Sequence, residues 1–363
     1  MFADLIDYLQ LVCQIGGTDL HLASGVAPMV RMNGVLQPLT EDILSPKDCR
    51  ELVLGALKET QRARLEHDWE LDFAIDVENL GRFRGTAWYV MGNVEAALRY
   101  IPHVIPDLPH LGHGPTVEAM CRKEHGLILI TGTSGSGKTT TLASMIQKIS
   151  MERPVSIVSI EDPVEYRFEH HLGVVQQRQV GADTQSFVNA LRSALRSDAD
   201  VIVIGEMRDL ETMRIAITAA ETGHLVIGTL HTTDAPSSVA RVLDAFPEEA
   251  QDYISSQLAH SLIGVVCQHL LPRRDEPGRV LASEVMLNNS GIAACIRQRR
   301  FPQLSGLIQI GGNEGMHTID DSLAHLMRLG FINLEDAMGR CRDKNVMIQV
   351  AREIQHAAAA AAR

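Results

Sequence analysis

The chain has 363 residues, 45% hydrophobic and 21% charged, with a formal charge of -12. That is an ordinary globular composition with length for two domains, and its acidic field disfavours a general nucleic-acid-binding role. No apolar run approaches the roughly 18 residues of a membrane helix, and MFADLIDYLQLV has no Lys or Arg, so neither membrane insertion nor a signal peptide is expected.

Residues 1 to about 100 read as α+β. A short apolar helix carries Leu5, Leu9 and Val12 on one face, and Leu20 and Leu22 alternate with Asp19 and His21 as in a strand. Asn33-Gly34 between two alternating runs predicts a hairpin. Ser45 as N-cap and Pro46 at the first helical position predict a second helix. ELDFAI, GRFRGTAWYV and VEAALRYI then follow as strands, giving a small domain of meandering strands with two helices. Pro102, Pro106, Pro109 and Pro115 remove donors and fix φ, so 101–115 reads as an interdomain linker.

From 116 to 363 a second domain is expected. GLILIT, VSIVSI, VIVIGE and HLVIGTL are continuous apolar runs, as parallel strands covered on both faces require, with amphipathic helices between them. The expectation is a doubly wound α/β domain. After residue 250 the pattern reads as mostly helical, and the Ala-rich tail is assigned no function. The six cysteines lie no closer than 28 residues apart, without zinc-ligand spacing, and read as reduced thiols of a cytoplasmic protein.

Gly132-Thr133-Ser134-Gly135-Ser136-Gly137-Lys138-Thr139 matches G-x-x-x-x-G-K-[ST] between an apolar strand and an amphipathic helix. Its backbone amides form a nest for phosphate oxygens, Lys138 reaches the β- and γ-phosphates, and the Thr139 hydroxyl is a Mg2+ ligand. Thr140, next on the helix, joins the binding set. The cofactors expected are therefore ATP and Mg2+. Glu206, after the apolar run of DVIVIGE, takes the position of a Walker-B acid. Glu161, Asp162 and Glu165 follow another strand, and each is a candidate to activate water; the alternative for Asp162, beside Pro163, is a turn cap. His224 and His231 flank the HLVIGTL strand, and His231 leaves it at the edge shared with the other loops. Arg192 and Arg196 share a helix face. These two read as solvated charges or as contacts to a neighbouring subunit or to nucleotide; Arg82 and Arg84 share a strand face and Arg99 ends another, and these three are candidate nucleotide-neutralising arginines or ordinary edge-strand charges.

GTSGSGKTTTLASMI, SIEDPVEY, ALRSALRSDADVIVIGEMRDLET and TAAETGHLVIGTLHT together resemble the Walker A, Asp-box, Walker B and His-box of the secretion-ATPase superfamily. GGTDLHLASGVAPMVRMNG, LDFAI, GRFR and ALRYIP extend the likeness into the first domain, specifically to the type IV pilus retraction motors of the PilT/PilU type. The resemblance implies a PAS-like first domain, a RecA-like ATPase domain and a homohexameric ring with ATP at the domain and subunit boundary. It implies Glu165 as general base, Glu206 as Walker-B acid, His224 and His231 as His-box residues, and Arg84 and Arg99 near the nucleotide. It further implies an inner-membrane platform protein as partner, a sister retraction ATPase, and a station at the cytoplasmic base of the pilus. The loop LLPRRDEPGRVLASEV lacks the cysteines of the zinc insert usual in assembly and secretion ATPases. One departure stands out. Where retraction ATPases read A-I-R-N-L-I-R-E, this chain reads Gly291-Ile292-Ala293-Ala294-Cys295-Ile296-Arg297-Gln298. Hydrolysis is expected to survive that change, whereas retraction independent of a sister motor comes into question.

Overall fold

The computed structural model describes residues 4–361 apart from Asn33 and Asn79. The chain divides into two compact units. One holds the residues up to Ile105 together with Pro163–Arg167, the other Pro106–Asp162 and Phe168 onward.

In the first unit α1 (Leu5–Gln14) leads into β1 (Asp19–Leu22), β2 (Met29–Met32) and β3 (Val35–Pro38). Helices α2 (Pro46–Ala56) and α3 (Glu59–Asp68) precede the long strands β4 (Glu70–Val77), β5 (Gly81–Val90) and β6 (Asn93–Ile101). Helix α1 starts in a capping box of Asp4 and Asp7, and α2 in one of Ser45 and Asp48 with Pro46 in the first turn. The six strands form one antiparallel sheet in the order β3-β2-β1-β6-β5-β4. Leu9, Val12, Val53 and Leu65 of the helices pack with Leu20, Phe73, Phe83 and Leu98 of the strands. This is the expected PAS-like architecture with one helix more. Helix α3 buries only Leu65, so it carries no apolar periodicity to announce it. The β2–β3 hairpin forms with Met32 opposite Val35; of its two expected turn residues, Gly34 has φ +83° and Asn33 lies outside the described residues.

The second unit opens with α4 (Pro115–Cys121), β7 (Gly126–Thr131), α5 (Lys138–Glu152), β8 (Ser156–Glu161) and β9 (Val174–Gln179). There follow α6 (Phe187–Ala194), β10 (Val201–Ile204), α7 (Leu210–Glu221), β11 (Leu225–Leu230), α8 (Ala235–Asp244) and α9 (Glu248–Ser261). Strands β12 (Leu262–Pro272) and β13 (Arg279–Leu287) complete a seven-stranded sheet, ordered β13-β12-β7-β11-β10-β8-β9, in which only β13 runs antiparallel. Helices α10 (Ser290–Arg297), α11 (Leu304–Ile310), α12 (Ile319–Arg328), α13 (Leu334–Met338) and α14 (Lys344–Ala361) end the chain.

Every residue of β7, β10 and β11 is buried. Alternation explains this. Leu127, Leu129, Ile202, Ile204 and Val226 face a core shared with α6 to α11, while Ile128, Ile130, Val201, Val203 and Ile227 face one shared with α4 and α5. Helices α12 to α14 close a smaller cluster over Leu271 and Ala282.

Three further expectations need correction. The run LIGVVCQHLLP, read as helix, is strand β12: helix α9 ends at Ser261, and a short apolar run does not by itself distinguish buried strand from buried helix. The proline-rich stretch is a linker for only part of its length. Leu108 enters the core of the second unit, and His113 is buried with its Nε2 2.9 Å from the Thr141 hydroxyl. Finally, Pro163–Arg167 leaves the second domain assigned to it and joins the first unit. Arg82 Nε donates to the Val164 carbonyl at 3.0 Å, Arg84 pairs with Glu165 at 3.0 Å and Arg167 with Asp76 at 2.8 Å.

Candidate active site

The phosphate loop leaves the carboxyl end of β7, the strand flanked by β11 and β12. Gly132 has φ +142°, and a Cβ there would lie 2.5 Å from both the Gln268 carbonyl and Ser136 Oγ, so only glycine lets the loop fold back here. Thr133, Ser134 and Gly135 form its exposed crest; Ser136 and Lys138 are buried, with Gly137, Thr139 and Thr140 half-buried. Gly137, at φ +90°, is the N-cap of α5 and makes no side-chain cap, which leaves the first amides of a 15-residue helix for a ligand. The buried Ser136 hydroxyl has no protein partner among the described residues. These features fit an anion with several oxygens.

Lys138 Nζ donates to the carbonyls of Gly132 at 2.8 Å and Thr133 at 2.9 Å. Burial lowers its pKa, against an opposing pull from the charge of Glu206. Glu206 stands one residue past Gly205 at the end of β10, where it accepts from Arg208 and has the His231 ring beside it. Arg208 Nε lies 2.6 Å from Oε1, and His231 Nε2 lies 3.1 Å from the same oxygen. Burial pushes the Glu206 carboxyl up, but the hydrogen bond and charge of Arg208, with His231 and Lys138, outweigh it and hold it below the usual carboxylate range. Lys138, Glu206 and His231 thus converge at the carboxyl ends of β7, β10 and β11.

The acids after β8 separate. Glu161 is buried and accepts from the Ser159 hydroxyl at 2.6 Å and Gln177 at 3.2 Å. Asp162 is exposed and near enough that its charge raises the pKa of Arg208. Glu165 belongs to the first unit, ion-paired with Arg84. Arg99 pairs across β1 and β6 with Asp19 at 2.7 Å. Arg192 pairs with Glu211, and Arg196 lies beyond the end of α6.

His224 does not join the cluster. It precedes β11 while His231 follows it, which places the two roughly 23 Å apart at strand rise. His224 Nδ1 lies 3.1 Å from the Ala219 carbonyl, and its own carbonyl receives the Gly126 amide where β7 begins. Of the two histidines expected in the site, His231 thus lies beside Glu206, while His224, flanking the same strand, lies at the opposite edge of the sheet.

Arg208 was missed by sequence reasoning, although its spacing of two from Glu206 in GEMRD was visible. Gln268 and His113 had no local signal. Gln268 Nε2 lies 2.7 Å from Thr141 Oγ1 and 3.1 Å from His113 Nε2, so strand β12 and the linker brace the helix of the phosphate loop. Burial, aided by the charge of His317, pushes the His113 pKa down to about 4.

Residues 30–310 match the family described as Type II/IV secretion system protein. The type IV pilus retractation ATPase PilT of Pseudomonas aeruginosa is 40% identical over 339 residues, spanning 93% of this chain and 98% of that protein. The type IV pilus ATPase PilU of the same organism is 38% identical over 348 residues, spanning 95% and 91%. A crystal structure of the pilus retraction motor PilT with bound ADP matches with a TM-score of 0.88 at 41% identity, covering 95% of this chain and 98% of that one.

Proposed function

The chain belongs to the type II/IV secretion system protein family, and from that premise we propose that it is an ATP-hydrolysing motor of type IV pilus retraction. The observation that carries this reading is the convergence of the phosphate loop, Glu206 and His231 at one edge of a two-sided parallel sheet.

The amides of 132–139 and the N-terminus of α5 take the phosphate oxygens of ATP, and Lys138 exchanges its two carbonyl partners for them. The Thr139 hydroxyl and the Glu206 carboxylate are hard oxygen donors that fit Mg2+, which when bound neutralises charge on the β- and γ-phosphates. Arg208 and His231 orient Glu206. Glu165 acts as the general base, with Arg84 holding its carboxylate. Arg84 neutralises nucleotide charge at the same time, whereas Asp19 gives Arg99 a structural duty within its sheet. Glu165 belongs to the first compact unit and Lys138 to the second, and conformational change driven by turnover is the motor's output. The working form is a homohexamer acting on a membrane-embedded platform partner at the pilus base. Among the described residues no helix is long and apolar enough to cross a membrane, so contact with the membrane runs through that partner.

A second reading, an accessory motor dependent on a sister ATPase, draws on the 291–298 segment. Helix α10 keeps Ile292, Ala293, Cys295 and Ile296 buried and Arg297 exposed, so the departure changes what the helix displays and leaves its packing face apolar.

The test combines ATP turnover with pilus retraction in a strain lacking its own copy of the gene. Wild-type chain restores both and Glu165→Gln neither, if the proposal holds. Retraction restored by Glu165→Gln at full rate sinks the motor reading, and retraction only in the presence of a sister ATPase selects the second.

A further inference from the structure

Glu284, on β13, is a carboxylate with 1% of its surface exposed, and the hydrolytic site makes no direct use of it. Its Oε1 accepts from the Ala235 amide at 2.9 Å and from the Arg342 guanidinium at 2.9 Å. Burial pushes this carboxyl up, against the pull of Arg342 and the Ala235 amide. A buried charge of this kind is costly without its partner, so Arg342 is an obligate companion.

Arg342 is itself fixed. It lies between α13 and α14, its backbone amide donates to Asp320 Oδ1 at 2.8 Å, and a second guanidinium nitrogen donates to Ser305 Oγ at 3.1 Å. Asp234 Oδ1 is 3.8 Å from the guanidinium. The C-terminal helical lobe therefore reaches through one side chain to the start of α8.

That start matters because of what precedes it. Asp234 is the N-cap of α8 and Ala235 its first residue, and His231, which holds Glu206, is three residues before the cap. The loop between is tied at each step. The Thr233 carbonyl lies 3.2 Å from His269 Nε2, and the Thr232 hydroxyl lies 2.6 Å from that of Ser238. Ser238 Oγ donates at 3.2 Å to Thr131 Oγ1, one residue before the phosphate loop. A shift at Ala235 has little slack to absorb it before reaching His231.

We propose that Arg342 and Glu284 form a clasp through which the C-terminal helical lobe sets the position of His231 against Glu206. The proposal rests on reading Glu206 and His231 as hydrolytic residues. The two clasp members are positioning residues: they act on turnover through the 231–235 loop. Whatever binds or displaces α12 to α14 then tunes the rate of hydrolysis through this one ion pair.

Steady-state ATP turnover of the full chain tests it, in Arg342→Met, Arg342→Lys, Glu284→Gln and the double variant Glu284→Gln/Arg342→Met, with Glu206→Ala alongside. Arg342→Met and Glu284→Gln each lower kcat roughly fivefold while KM for ATP stays within about twofold, and Arg342→Lys recovers part of the loss. The double variant is no slower than the slower single, because both remove the same link. Wild-type kcat in folded Arg342→Met, a rise in KM in place of the fall in kcat, or multiplied losses in the double variant each overturn the clasp. If Arg342→Met does not fold, Glu284→Gln decides alone, since its amide oxygen keeps the acceptor for Ala235. Wild-type turnover by Glu206→Ala refutes the site reading instead, and so separates the two failures.

Discussion

The two edges of the seven-stranded sheet are built from the same strands and do opposite things. At the carboxyl edge β7, β10 and β11 release Gly132, Gly205 and His231 into loops whose side chains converge on one another. At the amino edge the same strands receive Asp200, His224 and Gly126, and these are consumed in holding the sheet. Asp200 accepts from the Ser156 amide at 2.8 Å, and the His224 carbonyl accepts from Gly126. Parallel strands bring all their carboxyl ends to one side, and there the phosphate-loop helix adds its open N-terminal amides. Polar residues at the other edge have backbone groups to satisfy. Two histidines one strand apart in a single box thus differ in kind.

Breaking that contrast begins with Lys138→Ala, which removes the only lysine in the phosphate loop and is expected to cut ATP turnover about a thousandfold, read by phosphate release. Wild-type turnover there abandons the carboxyl edge as the site. Glu206→Ala comes next, with kcat lower by about a hundredfold and a smaller change in nucleotide affinity, measured by titration with a fluorescent analogue. The histidines sharpen the comparison directly. His231→Ala, which frees Glu206 from one of its two partners, costs roughly tenfold in kcat, whereas purified His224→Ala stays within about twofold. Equal losses in the two variants would collapse the distinction between edges.

The smallest effect is on stability. His113, behind the phosphate-loop helix, has its pKa pushed down to about 4 from an ordinary value near 6.5. Between those values the unfolded chain binds the proton and the folded one does not, so stability is lost as pH falls through that window and is unaffected above it. The loss reaches about 3 kcal/mol at most. In denaturant titrations at pH 7 and pH 4.5, His113→Gln is expected to show a smaller difference than the wild-type chain. An unchanged difference removes His113 as its source.

Much of this was legible in the residues. GTSGSGKT between an apolar strand and an amphipathic helix is a local device, complete within a dozen residues, and the structure forms it at the end of β7. The continuous apolar runs identified four parallel strands because burial on both faces forbids alternation. What escaped was non-local. Helix α3 has almost no apolar face, β12 follows the last residue of α9 with no break signal between them, and His113 acquires meaning only when Gln268, 155 residues on, packs against it.

Local chemistry in the chain thus determined the glycine-rich loop, its lysine, the acid at the end of β10 and the family, since each depends on neighbours a few residues away. Tertiary structure alone decided which histidine meets Glu206, that Glu165 folds with the first unit beside Arg84, and that Arg342 reaches Glu284 beneath α8. The physical reason is one of range. Glycine φ preferences, helix capping and burial periodicity act along the chain, whereas charge pairing in a folded protein is settled by which strand ends and loops the sheet order sets side by side.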